Sequence, residues 1–436
     1  MTSAPARTID VSQRTLDPDQ GGSVAAEASG ASPLGATFVG RRYLKLVLVL
    51  GLMSAIGPLT IDAYLPALPQ LTAEMHATTS QAQLTITGLL LGLGLGQLII
   101  GPLSDSIGRR RPLLIGLLGH GAMSVLCALA PSITMLAITR TLQGLAGAAV
   151  AVVAMAIVRD LFSGVRAAQL LSRLILVLGV APILAPSLGS ALLRVTSWRG
   201  IFVVLAIAAV SLFVLALVAL PETLPASRRP SVSLRGSLRA YARLFSDRLF
   251  VVMVLVAGLL FATLFAYIAG APFVLQGLFG LSPQQFGLAF GANALGLIVM
   301  TQLNPMFVIR YGPVRVMSVA VLVSVVGAGA LLTTSITGWG GFLGFMIPLF
   351  FIMCSVALSF PNAPAIALSR HGEAAGSAAA LLGAAQFVVG GAVAPLVGAL
   401  DNGTAVPMAG VIVGTTVLAA GLFWSARKRL SAESYA

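Results

Sequence analysis

The sequence predicts an all-α polytopic membrane protein with twelve transmembrane helices in two six-helix bundles. Three observations carry that expectation. Of 436 residues, 58% are hydrophobic and only 9% charged, whereas a soluble domain carries about a quarter charged residues. The apolar residues fall in runs close to the ~20 residues that a bilayer-spanning helix needs. All but three of the 26 Lys and Arg (Arg140, Arg194 and Arg199) fall in loops, tails or helix ends on one side of the resulting topology. That is the positive-inside bias of cytoplasmic segments. The net charge of +13 therefore fits a lipid bilayer as partner and not nucleic acid. Cys127 and Cys354 both sit inside apolar runs, which excludes a disulfide framework.

In chain order, residues 1–42 are polar, small and of mixed charge, and read as a disordered cytoplasmic tail. Arg41, Arg42 and Lys45 anchor the first span, 43–68, which Pro58 and Pro66 interrupt. Prolines are tolerated in a membrane helix where neighbours or a cavity re-satisfy the freed carbonyls. The second span, 83–103, carries Gly88, Gly92, Gly94 and Gly96; with no strand before it, this is helix-packing glycine and not a nucleotide loop. Gly101-Pro-Leu-Ser-Asp105-Ser-Ile-Gly108-Arg109-Arg110-Arg-Pro112 follows as a short basic loop, and its charge places it in the cytoplasm.

The remaining spans are expected at 112–130, 135–158, 169–193, 200–220, 249–274, 285–308, 316–336, 340–362, 376–400 and 405–426. Both ends then lie in the cytoplasm, with 427–436 as a second tail. Residues 221–248, with three prolines and six arginines, form a long cytoplasmic linker. It separates an N-terminal bundle, 43–220, from a C-terminal bundle, 249–426. Arg310-Tyr-Gly312-Pro-Val-Arg315 after span eight echoes Ile107-Gly108-Arg-Arg-Arg111 after span two, as expected of parallel six-helix repeats.

Asp62 is the one acidic residue expected inside a span. An isolated carboxylate in hydrocarbon costs ~2.5–3.5 kcal/mol and marks a functional site. It is placed about six residues, roughly 9 Å, from the outer end of span one. Arg140 is placed at nearly the same depth in span four. The two are expected as partners, either as a static bridge between helices or as a proton-coupling pair. Burial and a neighbouring cation act on a carboxylate in opposite senses, so a change of helix packing loads and releases a proton.

The basic loop (Gly101, Asp105, Gly108, Arg109 and Arg110) resembles the loop 2–3 signature of the major facilitator superfamily. Thr60-Ile-Asp62-Ala-Tyr64-Leu-Pro66-Ala-Leu-Pro69 resembles the span-one signature of its Bcr/CflA group, the proton-coupled exporters of bicyclomycin and chloramphenicol type. Arg140-Thr-Leu-Gln143-Gly144 is similar to the span-four motif, and Gly179-Val-Ala-Pro182-Ile-Leu-Ala-Pro186-Ser-Leu-Gly189 to the span-five antiporter motif. Trp198-Arg199 and Pro221-Glu222-Thr223 also resemble this group.

The resemblance implies the major facilitator fold, acting as a monomer, and export of a small-molecule drug in exchange for protons by alternating access. It implies proton coupling at Asp62 and Arg140, and gating by the loop. Asp105 would relay charge to the loop arginines and cap a helix of the other half. Gly179, Pro182, Pro186 and Gly189 would let spans five and eight pack closely; Ser187 and Ser190 depart from the glycine-rich pattern there. Substrate contact is expected at Tyr64 and Asn293. Met53, Phe261, Phe265, Tyr267, Gln302, Phe360, Asn362 and Gln386 are further candidates for a mainly apolar pocket. The alternative is a proton-coupled metabolite or sugar transporter of the same fold.

No enzyme, cofactor or metal is expected. His76, His120 and His371 are scattered, no His-Glu-x-x-His is present, and no Gly-Lys pair exists for a phosphate loop.

Overall fold

The computed structural model describes residues 32, 34–229, 234–368 and 375–433. Among these residues twelve helices are long and apolar enough to cross a membrane. Spans one to six run Gly40–Glu74, Thr79–Ile107, Arg110–Ala128, Ile133–Leu161, Gly164–Leu192 and Trp198–Ala219. Spans seven to twelve run Arg248–Leu278, Pro283–Tyr311, Pro313–Thr337, Gly341–Leu368, Gly376–Ala399 and Val406–Arg427. An even number of spans brings both described ends to one face, the terminal face; the other is the distal face.

Local chemistry sets the ends. Spans two and eight both open with capping boxes, Thr78 with Gln81 and Ser282 with Gln285, each satisfying two backbone donors reciprocally. Both stop at a glycine with positive φ, Gly108 at 96° and Gly312 at 77°. The repeat seen in sequence is thus a repeated turn, one that a residue with a Cβ would strain.

Span one is longer than expected and broken. Its first helix ends at Asp62; a turn and a 3-10 segment, Leu65–Ala67, lead into a second helix, Leu68–Glu74. Pro66 and Pro69 cannot donate to the preceding turn, so the helix stops rather than bends. Asp62 therefore lies twelve residues from the distal end of the span, not six, and roughly twice as deep as the sequence suggested.

Three further boundaries differ. Residues 1–31 and 33 of the expected tail lie outside the described residues, but Ser32 N donates to Leu161 O at 2.9 Å. Leu34 and Phe38 pack on the core beside span four. The linker contains a helix, Leu234–Ser246, and residues 230–233 lie outside the described residues. Its three- and four-residue apolar spacing is visible in sequence but is outvoted by the nearby prolines. The last helix continues to Glu433 instead of ending in a tail.

Lipid gives little hydrophobic drive for helices to associate, so small residues decide their packing. Spans two and four meet through reciprocal glycines. A Cβ on Gly92 would enter the Thr141 carbonyl, and one on Gly144 the Leu89 carbonyl. Two apolar cores form within single halves, from residues 46–220 and 244–426, and a third draws on both.

The halves are joined by hydrogen bonds toward the distal face. Thr79 Oγ1 donates to Asp401 Oδ2 at 2.7 Å, and Thr87 Oγ1 to Gly391 O at 2.8 Å. Ser190 Oγ lies 2.7 Å from Pro283 O, and Gln284 Nε2 donates to Ser190 O at 3.2 Å. The serine that departs from the glycine pattern thus ties span five to span eight. Gln83 is fully buried; its Nε2 donates to Ala269 O at 3.0 Å and its Oε1 accepts from Gly398 N at 2.7 Å. Toward the terminal face, Val165 and Ile309 at the ends of spans five and eight are 74% and 87% exposed. No hydrogen bond joins those ends among the described residues.

Gln83 bridges spans two, seven and eleven, so its loss should loosen the distal closure. Leaving a buried polar group unpaired costs ~1–3 kcal/mol. With Cys127→Ala and Cys354→Ala as background, disulfide formation between Thr79→Cys and Asp401→Cys should slow severalfold when Gln83→Leu is added. An unchanged rate would mean that Gln83 carries no part of the closure.

Candidate functional site

The broken span one builds the centre of the molecule. Its first helix ends with unpaired carbonyls, as every helix does. Arg140 Nη1 supplies one partner, donating to Thr60 O at 3.1 Å and to Gln143 Oε1 at 2.8 Å. A cation at a helix C-terminus is favourable, typically by ~0.3–1 kcal/mol and more when buried. The fully buried guanidinium lies 5.0 Å from the Tyr64 ring centroid and 5.5 Å from that of Phe202, and such cation–π contacts strengthen when desolvated. Its Nε and Nη2 have no partner among the described residues.

Around Arg140 spans one, three and four share one polar network. Gln143 Nε2 donates to Ser124 Oγ at 2.7 Å, and Ser124 Oγ donates to His120 O at 2.7 Å. His120 Nε2 lies 3.2 Å from Thr60 Oγ1, whose proton goes to Ile56 O at 2.6 Å. His120 and Gln143 were legible in sequence only as one of three scattered histidines and as part of a motif. No local signal shows that they share one network.

Asp62 stands apart from this network. It is 4% exposed, its Oδ1 has no partner among the described residues, and no ion pair joins it to Arg140. The expected partnership is not formed in this conformation. Arg140 faces the helix end two residues earlier, where the Thr60 carbonyl competes for it. Asp62 lines a cavity of about 410 Å³ between the halves, a size ordinary for small-molecule sites.

Met53, Phe261, Phe265, Tyr267, Asn293, Gln302 and Phe360 also line the cavity. Tyr64 does not. It is fully buried, its hydroxyl is 3.0 Å from Thr85 Oγ1, and its ring packs on Phe202 beneath Arg140. In this conformation Tyr64, expected as a substrate contact, is therefore not among the cavity-lining residues. Asn362 is held by Asn304 at 2.7 Å away from the lining, and Gln386 yields its place to Phe387.

The span-five residues serve several packings. Pro182 lines the cavity, and Gly179 lies against Ile298 of span eight. Gly189 leaves room for the Ala63 carbonyl at the break in span one, where any Cβ would collide. Pro186 is buried.

The basic loop forms a second cluster at the terminal face. Arg109 bonds Asp105 through Nη1, Asp160 through Nε at 2.8 Å and Ser104 at 2.9 Å. Asp105 is half-exposed and makes no bond to the other half among the described residues; the expected cap on the opposite bundle is absent in this conformation. Gly101 is open to space, and Gly108 approaches Glu222 and Arg229 with φ at 96°. Arg110 Nη2 donates to Leu217 O at 2.7 Å.

Asp160 and Glu222 enter the cluster from outside the motif. Thr223 Oγ1 donates to Asp160 at 3.1 Å. Glu222 Oε1 accepts from the backbone N–H of Arg109 at 2.9 Å, and Oε2 from that of Arg110 at 3.3 Å. It thereby caps the N-terminus of span three, where negative charge is favoured. Burial pushes the Glu222 carboxyl up, but the N–H groups of Leu224, Arg109 and Arg110 and the charge of Arg229 outweigh it and hold it below the usual carboxylate range.

A family model described as Major Facilitator Superfamily matches residues 50–395. The chain belongs to that superfamily. As a major facilitator it is a multi-pass membrane transporter and not an enzyme. It is 37% identical over 396 residues to an uncharacterized MFS-type transporter, YdgK, of Bacillus subtilis, covering 89% of this chain and 97% of that one. It is 29% identical over 362 residues to a bicyclomycin resistance protein homolog of Haemophilus influenzae, covering 83% and 91%. It is 28% identical over 355 residues to a chloramphenicol resistance protein of Pseudomonas aeruginosa, covering 81% and 83%. Among solved structures, the nucleoside transporter NupG superposes with a TM-score of 0.71 at 15% identity, covering 87% of this chain and 99% of that one. That likeness is one of fold.

The Glu222 cap predicts a pH dependence. A carboxylate whose folded pKa lies below its unfolded value stabilises the fold above the unfolded value and loses this as pH falls through the folded one. The thermal midpoint of the detergent-solubilised transporter should fall between about pH 6 and pH 3. Glu222→Gln should start lower and fall less. Parallel curves would remove the cap as a source of stability.

Proposed function

We propose that this transporter exports small amphipathic drugs from the cytoplasm in exchange for protons, with phenicols or bicyclomycin-like compounds as the first candidates. The observation that carries the reading is Asp62, an unpaired carboxylate lining the cavity between the halves. A lone charge there is costly, and taking up a proton removes it. The printed names of the bicyclomycin and chloramphenicol resistance relatives support a drug as the counter-substrate.

In this reading the terminal face is cytoplasmic, by the positive-inside rule, and the conformation described is closed toward the outside. The bundles 43–220 and 249–426 rock about the cavity. Arg140, with two nitrogens, Nε and Nη2, left without a partner among the described residues, is the cation toward which a deprotonated Asp62 turns in the alternate state. Gly101, Asp105, Gly108, Arg109 and Arg110 gate the cytoplasmic side, and Gly179, Pro182, Pro186 and Gly189 seal spans five and eight against leakage. Asn293 contacts the drug. One proton moving down 100 mV supplies about 2.3 kcal/mol, enough for a roughly 50-fold drug gradient.

The test is accumulation of labelled chloramphenicol in a drug-sensitive host. Low accumulation that rises to the vector level on adding an uncoupler is expected, and Asp62→Asn should abolish the difference while remaining in the membrane. Unchanged export by Asp62→Asn would overturn the role of that carboxylate. Accumulation above the vector would turn the reading toward metabolite import.

A further inference from the structure

The C-terminal wall of the cavity carries a hydrogen-bonding pair whose capacity is only partly used. Asn293 is 1% exposed and Tyr267 2%, and both line the cavity. Asn293 Nδ2 donates to Tyr267 Oη at 3.3 Å and approaches Ala289 O at 3.4 Å. A backbone carbonyl can only accept, so the amide nitrogen must face it, and the orientation of Asn293 follows. Its Oδ1 is left buried with no partner among the described residues. The Tyr267 hydroxyl accepts from Asn293 and has no acceptor for its own proton among the described residues. Tyr267 stacks on Phe290 at 5.1 Å and 15°, which fixes the ring. Asp62 lines the same cavity from the other half.

The pair therefore presents one unused acceptor and one unused donor. The complement is a group with one donor and one acceptor: a secondary amide or an alcohol. Beside it the Phe261 ring gathers Phe265, Phe360 and Phe387 at 5.0, 5.7 and 5.2 Å between centroids. That cluster offers a flat apolar body a surface of aromatic faces and edges. Among the cavity-lining residues Asp62, on the other half, is the acid, so the C-terminal wall holds no counter-ion for a cation.

We infer that Tyr267 and Asn293 form the recognition pair for a secondary amide or hydroxyl group on a neutral amphipathic substrate, whose apolar body lies on the Phe261 cluster. This rests on the export reading for the existence of a substrate, and adds its chemistry and its seat. Asn293 Oδ1 accepts the substrate N–H or O–H, and Tyr267 donates to the adjoining oxygen. Leaving the buried Oδ1 unpaired costs free energy that such a ligand recovers.

The experiment measures binding to the purified full chain in lipid nanodiscs with two probes. One is chloramphenicol, which carries a secondary amide; the other is its amide N-methylated analogue, which lacks the N–H. The unaltered protein should bind the analogue about tenfold more weakly. Asn293→Leu should bind chloramphenicol about tenfold more weakly and should hold both probes within about twofold of each other. Tyr267→Phe should weaken both probes while keeping the preference for the N–H. A merely structural Asn293 would weaken both probes alike and leave the preference intact, and that result overturns the inference. Absence of saturable chloramphenicol binding by the unaltered protein would overturn it too. Uncoupler-sensitive export of another drug in the same cells would then show that the export reading stands without it.

Discussion

The structure depends on a helix that stops in the middle of the membrane. Backbone groups in hydrocarbon must be satisfied internally, yet span one breaks at Asp62 behind Pro66 and Pro69. The break is sustained because other spans supply what the helix loses. Arg140 gives a charged donor to the Thr60 carbonyl, and Gly189 lets span five come up against the Ala63 carbonyl. The polar ring of Thr60, His120, Ser124 and Gln143 holds Arg140 from behind. Asp62, the last residue of the first helix, is thereby set at the cavity with no ion-pair partner among the described residues.

That separation gives the centre its chemistry. A buried ion pair is a stable but costly arrangement, and breaking it strands a charge. Here the cation is provided for by carbonyl, amide and aromatic faces instead of by the carboxylate. Arg140 and Asp62 each retain unused hydrogen-bonding atoms. In the proposed export, a cavity wall with the Asp62 carboxylate on one half and the Tyr267–Asn293 pair on the other reads a proton and a neutral ligand in one space. The distal bonds, Gln83 foremost, hold the halves together on the far side, while Asp105 remains within its own half.

Much of this was legible in sequence, and the reasons differ from part to part. Apolar runs, turn glycines and basic loops located all twelve spans, because length and charge bias act on each span separately. Asp62 and Arg140 stood out because charges in hydrocarbon are rare. Their separation was not readable. Depth along two helices says nothing of rotation, and the span-one break moved Asp62 deeper than residue counting allowed. Tyr64 looked like a pocket residue for its place in a motif, but rotation again turned it inward, under Arg140. Asp160 drew no notice at the end of span four, and Glu222 did so only as part of Pro221-Glu222-Thr223; only folding brings both against Arg109. Ser190 read as a lapse from a glycine pattern, and the fold makes it a link to Pro283.

The central claim is that drug and proton exchange at Asp62. Calorimetric titration of chloramphenicol into the purified protein, in buffers of different ionisation enthalpy at one pH, measures this directly. Release of about one proton per drug bound, absent in Asp62→Asn, is the predicted result. A binding heat independent of buffer in the unaltered protein, or equal proton release by Asp62→Asn, would contradict it.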